Sequence, residues 1–320
     1  MQLRSVGRSS LQVSLAGLGT SNFGGRVEPR MARAIIHKAL DLGVTLFDTA
    51  DSYGDGRCEE VLAEALGARR KEVIIASKWG NFDPGGGAPK PAVEIRGGSR
   101  WYVLHALEQS LRRLATDYID LYQLHKPDLQ TPIEETLQAL NHAIRQGKVR
   151  HIGVSNMPAW QIVEAQLIAK QLGIDGFVSF QDRYSLLARG IETTVFPATD
   201  RYGLGLLPNL PLAEGLLTGK YQRQTPAPEG TRLATWSRMT ERSVNERNWS
   251  VMEQLRSFAF ERGHALLELA MSWLATRPQV SSIIAGATRP EQVEQNISAL
   301  GWALTEDELS AIDRITLESH

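Results

Sequence analysis

The sequence predicts an α/β chain closed into a TIM (β/α)8 barrel, with a β-hairpin at its N-terminal end and long loops at its C-terminal face. Three observations predict it. Eight short runs rich in β-branched residues recur along the 320 residues, each with the length and apolarity of a strand buried on both faces. Helical patterns that stop at glycine alternate with them, which implies a parallel sheet with helical crossovers. The competing open dinucleotide-binding sheet needs G-x-G-x-x-G, whereas "GLGTSNFGG" puts Asn22 where the third glycine belongs. A single domain over residues 1–320 follows.

Each element has its own warrant. "LRSVGRSSLQVS" (3–14) alternates around Gly7 and reads as a hairpin closing the barrel's bottom. "LAGLGT" (15–20) is the first strand; Met31, Ile35, Ala39 and Leu42 then recur at helical spacing before Gly43, a C′ cap. "VTLFDTA" (44–50) and "EVIIASK" (72–78) are strands two and three. "YIDLYQLH" (118–125) is the fourth, and Leu137, Leu140 and Ile144 before Gly147 give the helix after it. "VRHIGVSN" (149–156), "GFVSFQ" (176–181), "GLLPNL" (205–210) and "VSSIIAG" (280–286) complete the set. Two Gly/Pro-rich stretches, 80–100 and 221–243, interrupt this order and read as loops walling the C-terminal mouth.

Composition narrows the function. With 35 basic against 36 acidic residues and no long run of either sign, the chain shows no footprint for nucleic acid or an anionic membrane, so a small molecule is the expected partner. No apolar run approaches the roughly 18 residues of a membrane span. Cys58 is the only cysteine, and the first residues lack the apolar core of a signal peptide, so a cytoplasmic setting is expected. The sequons at Asn248 and Asn296 are read as chance matches. Oligomeric state is not legible.

Strand ends at a barrel's C-terminal face carry the active site, and here those ends are polar: Asp48, Lys78, His125, Ser155, Asn156 and Gln181. Tyr53 follows Asp48 in the glycine-bearing turn "FDTADSYGDGRCEE". A phenol with an ordinary pKa near 10 transfers protons poorly at neutral pH, and a neighbouring ammonium is expected to lower it. Lys78 is placed to supply that charge, Asp48 to hold the ammonium, and His125 to orient a carbonyl oxygen. Such a site protonates a developing alkoxide, and the hydride must come from a cofactor.

The chain resembles the aldo-keto reductase superfamily over essentially its full length, through that turn and through "SKWGN", "DLYQLHKPD", "GKVRHIGVSN", "PLAEGLLTGKY" and "IAGATRPEQVEQN" in the family's order. The resemblance implies carbonyl/alcohol chemistry with NADP(H), or less often NAD(H), and a catalytic tetrad of Asp48, Tyr53, Lys78 and His125, with Tyr53 as general acid/base. It places Ser155, Asn156 and Gln181 on the nicotinamide carboxamide, and Asp48 toward the ribose. The cofactor would also meet Gly19, Thr20, Asn209, Leu210, Pro211, Leu212, Gly215 and Lys220, then Gly286, Thr288, Arg289, Gln292, Gln295 and Asn296. Arg289 suits a 2′-phosphate, so NADP(H) is preferred over NAD(H). Asn209 stands where many members place an aromatic ring, and Gln295 where glutamate is usual. "GLLTGKY" is rejected as a nucleotide-triphosphate loop, because its spacing is short and Tyr221 replaces the Mg²⁺-binding hydroxyl.

Phe23, Trp79 and Trp101 are the expected walls of the substrate pocket. Cys58 reads as a packing residue, and the histidine spacing predicts no metal. Two alternatives stay open: a cofactor-binding, redox-sensing regulatory subunit with little turnover, and a barrel aldolase forming a Schiff base on Lys78.

Overall fold

The computed structural model describes residues 1–81, 97–235 and 243–317. All eight predicted strands form: β3 (Ala16–Gly19), β4 (Leu46–Asp48), β5 (Ile74–Trp79), β6 (Ile119–Leu124), β7 (Val149–Ser155), β8 (Ser179–Arg183), β9 (Gly205–Asn209) and β10 (Ile283–Gly286). They lie in the order β10-β3-β4-β5-β6-β7-β8-β9, every neighbour parallel. A parallel bridge between Leu206 and Val280, with Ser281 N–H donating to the Leu206 carbonyl at 2.8 Å, joins the last strand to the first and closes the barrel.

Period-two alternation splits each strand between two cores. Leu46, Ala76, Leu121, Leu207 and Ile284 fill the lumen, while Phe47, Ile75, Tyr122 and Leu206 face the helices outside. The hairpin, β1 (Leu3–Ser5) with β2 (Gln12–Ser14), is antiparallel as expected. Its Val6, Leu11 and Val13 join the lumen cluster, so it plugs the bottom of the barrel.

Gly43 and Gly147 have φ of 80° and 74°, the left-handed geometry expected of C′ caps. In the helix Pro29–Asp41 the buried face is Ala32, Ile35, Ile36, Ala39 and Leu40, and Met31 is exposed. Of the expected stripe, Ile35 and Ala39 are therefore buried and Leu42 packs partly buried against the core, while Met31 at the first turn faces solvent. The predicted loops 80–100 and 221–243 lie partly outside the described residues. Among the described residues no helix is long and apolar enough to cross a membrane.

Candidate active site

β4 delivers Asp48 into the lumen at its C-terminal end, and β5 delivers Lys78 from the neighbouring strand. Between them the chain turns sharply, held by hydrogen bonds from Thr49 N–H to the Ala76 carbonyl at 2.8 Å and from Asp51 N–H to the Lys78 carbonyl at 3.0 Å. Gly54 and Asp55 take left-handed backbone, which swings Tyr53 back over the mouth. Lys78 is completely buried. Its Nζ donates to Asp48 Oδ2 at 2.6 Å and to the Thr49 carbonyl at 2.9 Å, and it stands 3.3 Å from the Tyr53 hydroxyl. Gln181 Nε2 donates to the other Asp48 oxygen at 2.8 Å. The His125 ring meets the Tyr53 ring edge-on, with centroids 5.7 Å apart.

Burial works against the charge of Lys78, but Asp48 and the phenol outweigh it and raise its pKa above the ordinary value, so the ammonium persists. Burial pushes the Tyr53 phenol up; Lys78 pulls it down, Asp48 opposes that pull, and the sum stays above the ordinary value. This corrects the expected lowering. Lys78 acts with the predicted sign, yet desolvation of a phenolate in this turn is the larger effect. His125 is driven down to about 3, first by burial and then by Lys78 and Lys126. At neutral pH the site therefore holds a neutral imidazole, a firmly protonated phenol and a charged amine.

The family model for the aldo/keto reductase family matches residues 16–316. The chain belongs to that family. A probable voltage-gated potassium channel subunit beta from Oryza sativa subsp. japonica is 37% identical over 94% of this chain and 91% of its own length. An L-glyceraldehyde 3-phosphate reductase from Escherichia coli K12 is 35% identical over 98% and 92%. The uncharacterized oxidoreductase YrpG of Bacillus subtilis is 34% identical over 98% and 96%. An oxidoreductase lineage thus fits both the comparisons and the site's proton chemistry.

The other polar positions gather at the same rim. Gly286, Gly19 and Asp48 lie side by side at the ends of β10, β3 and β4, and Ser155 pairs with Gln181. Thr20 is fully buried, its hydroxyl donating to the Asp48 carbonyl at 3.0 Å. Asn156 is exposed with φ of 53°, and its amide donates to the His125 carbonyl at 3.1 Å.

After Asn209, the backbone is left-handed at Leu210, Ala213, Glu214, Gly215 and Gly219. Three of these five are non-glycine, a strain that concentrates at ligand clamps. Lys220, expected on the cofactor, is exposed just beyond this turn. Pro211 is buried and Leu212 half-buried beside it. Arg289 caps the helix Pro290–Ser298 without a side-chain hydrogen bond to it and is exposed, as is Gln295. Gln292 accepts from Thr288 N–H at 2.7 Å, and Asn296 is buried.

The expected substrate walls are not presented to the mouth. Phe23 and Trp79 are fully buried in the packing between barrel and helices; Trp79 stacks on Tyr122 and donates to the Gly97 carbonyl at 3.1 Å. Side chains alternate along a strand, so Lys78 facing inward sends Trp79 outward. Trp101 is 57% exposed and stacks on His105 along its own helix. Cys58 is buried, donates to the Phe23 carbonyl, and has its thiol pushed up to about 12 by burial, consistent with packing.

Two clusters escaped sequence reasoning. Arg183 donates to Ser243 Oγ at 2.7 Å and stands 4.0 Å from Glu214, linking β8 to the strained turn and to the far end of the 221–243 loop. Arg232 lies within electrostatic reach of Arg26, Glu214 and Tyr53. Behind the catalytic turn, Glu59 accepts from Ser77 at 2.5 Å and from Arg113 Nε at 2.7 Å. Gly56 makes room for that arginine, since a Cβ there would sit 2.6 Å from Arg113 Cδ. Among the described residues one buried oxygen of Asp51 has no partner, and burial followed by repulsion from Glu59 raises its pKa to about 7. Consecutive acids in "DGRCEE" were the only sequence signal.

Proposed function

We infer that this protein is an NADP(H)-dependent oxidoreductase that interconverts a carbonyl compound, an aldehyde, ketone or sugar-like substrate, with its alcohol. The observation that carries the reading is the buried Lys78 ammonium, bridging Asp48 and the Tyr53 hydroxyl beside a neutral His125. Bound nicotinamide supplies the hydride. The chain's own residues do the rest. A ring N–H of His125 donates to the carbonyl oxygen and orients it, and Tyr53 passes its proton to that oxygen as negative charge develops there. The phenolate left behind is held by Lys78, whose charge Asp48 secures. Because burial keeps the phenol protonated at neutral pH, the acid form needed for reduction is the resident one.

Arg289, exposed at the opening of its helix, supports the NADP(H) preference through a 2′-phosphate contact. Schiff-base chemistry on Lys78 is disfavoured, since a charged ammonium is no nucleophile. The test is a carbonyl and alcohol panel followed by nicotinamide absorbance with NADPH and NADH in both directions. Turnover dependent on Tyr53 supports the reading. A second reading, a cofactor-binding regulatory subunit with little turnover, is favoured by the channel-subunit relatives at 37% and 36% identity. Tight NADPH binding without turnover across the panel would select it.

A further inference from the structure

Beneath the mouth, three adjacent strands carry a second tier of lumen-facing positions. Gln123 precedes His125 by two residues, Gly153 precedes Ser155, and Ser179 precedes Gln181, so each shares a face with the residue above it. They are direct neighbours in the sheet: Lys78 pairs with Gln123, Gln123 with Gly153, and Gly153 with Ser179. The bottom of the lumen is an apolar plug built on Leu46, Leu121 and the hairpin. This middle tier is polar instead.

Gln123 and Ser179 are fully buried. Yet both amide atoms of Gln123 and the hydroxyl of Ser179 have no hydrogen-bond partner among the described residues. Gly153 gives them their space, since a Cβ there would lie 2.2 Å from Ser179 Oγ and 3.1 Å from Gln123 Cγ. Lys78 does not serve them, because its Nζ is directed at Asp48, Thr49 and Tyr53. An amide and a hydroxyl sealed together without partners are costly enough that folded proteins satisfy them with ordered solvent.

We propose that Gln123 and Ser179 hold resident water beside Lys78, making the middle tier of the lumen a water-binding site that supports the floor of the mouth. The water links the side chain below His125 to the one below Gln181. The proposal rests on the barrel's geometry and not on the assigned reaction.

Oxygen-17 relaxation dispersion on the full chain counts water molecules held longer than the protein tumbles. That count is expected to fall by at least one in Gln123→Met, which keeps the side chain's length and removes both polar atoms. The thermal midpoint is expected to fall as well, because the water loses an anchor and Ser179 loses its partner. Were the amide simply unpaired, the same replacement would remove a buried penalty and raise the midpoint. An unchanged count or a raised midpoint overturns the proposal. Should the variant not fold, the native protein decides: the Gln123 side-chain amide protons should show cross-relaxation to water with the sign of a long-lived molecule, and its absence overturns the proposal. Neither measurement needs turnover, so failure here is distinct from failure of the oxidoreductase reading.

Discussion

Replacing Lys78 with methionine tests the electrostatic frame of the site directly. Methionine nearly matches the volume of the lysine stem, so packing is largely kept and the ammonium alone is lost. The carboxylate of Asp48, a residue 3% exposed, then keeps among the described residues only the hydrogen bond from Gln181, and the Thr49 carbonyl loses its donor. Breaking a buried pair from one side costs about 3–5 kcal/mol, because a charge is left without compensation. With an unfolding entropy of roughly 2.1 cal/mol/K per residue, 320 residues give about 0.7 kcal/mol/K. The midpoint of thermal unfolding should therefore drop by about 4–7 °C. An unpaired buried carboxylate sheds its charge by binding a proton, so the deficit should be larger at pH 8 than at pH 5. Adding Asp48→Asn to Lys78→Met should restore much of the loss, as removing both charges relieves the penalty that removing one creates. Calorimetry of the two variants at both pH values is the assay. A midpoint within about 1 °C of the parent at pH 8, roughly the scatter of a neutral surface change, or a double variant worse than the single one, refutes the reasoning.

Three further outcomes follow from the same geometry. Tyr53→Phe should lower carbonyl reduction by about 100-fold or more while leaving NADPH affinity nearly unchanged; parallel loss of both in kinetics and binding titrations would show the phenol to be structural. Arg289→Ala should weaken NADPH binding by about 10- to 100-fold, the range of a charged hydrogen bond to phosphate, and leave NADH binding within about twofold; equal loss would remove the 2′-phosphate contact. Asp51, held near pH 7 against an ordinary 3.8, keeps its proton in the folded state after the unfolded chain has lost it. Stability therefore falls as pH rises from about 4 to about 7, by at most about 4 kcal/mol before solvent contact reduces it. Asp51→Asn should flatten that slope and gain most, relative to the parent, at pH 8; denaturant melts at pH 5 and pH 8 that differ equally in both proteins would count against it.

Local pattern along the chain encodes the elements and their order. Alternating β-branched runs and glycine-stopped helices specify eight βα units, and eight such units close in only one common way. The polar residues at the strand ends follow from the same periodicity, so Asp48, Lys78, His125, Ser155 and Gln181 were legible with their shared rim. The tertiary structure alone decided which way each balance falls. The Tyr53 phenol is raised rather than lowered because desolvation sums over every neighbour around the turn, whereas a linear reading sees only the lysine. Trp79 went to the outer core because facing along β5 is set by register; Phe23, beyond the end of β3, is buried there too, and Trp101 went to solvent. The Glu59–Arg113–Asp51 cluster and the Arg183 link to Glu214 and Ser243 join residues tens of positions apart, for which no spacing rule exists. Distance along the chain carries propensity and period; charge, burial and unpaired polar groups depend on distance in space, which only the closed barrel sets.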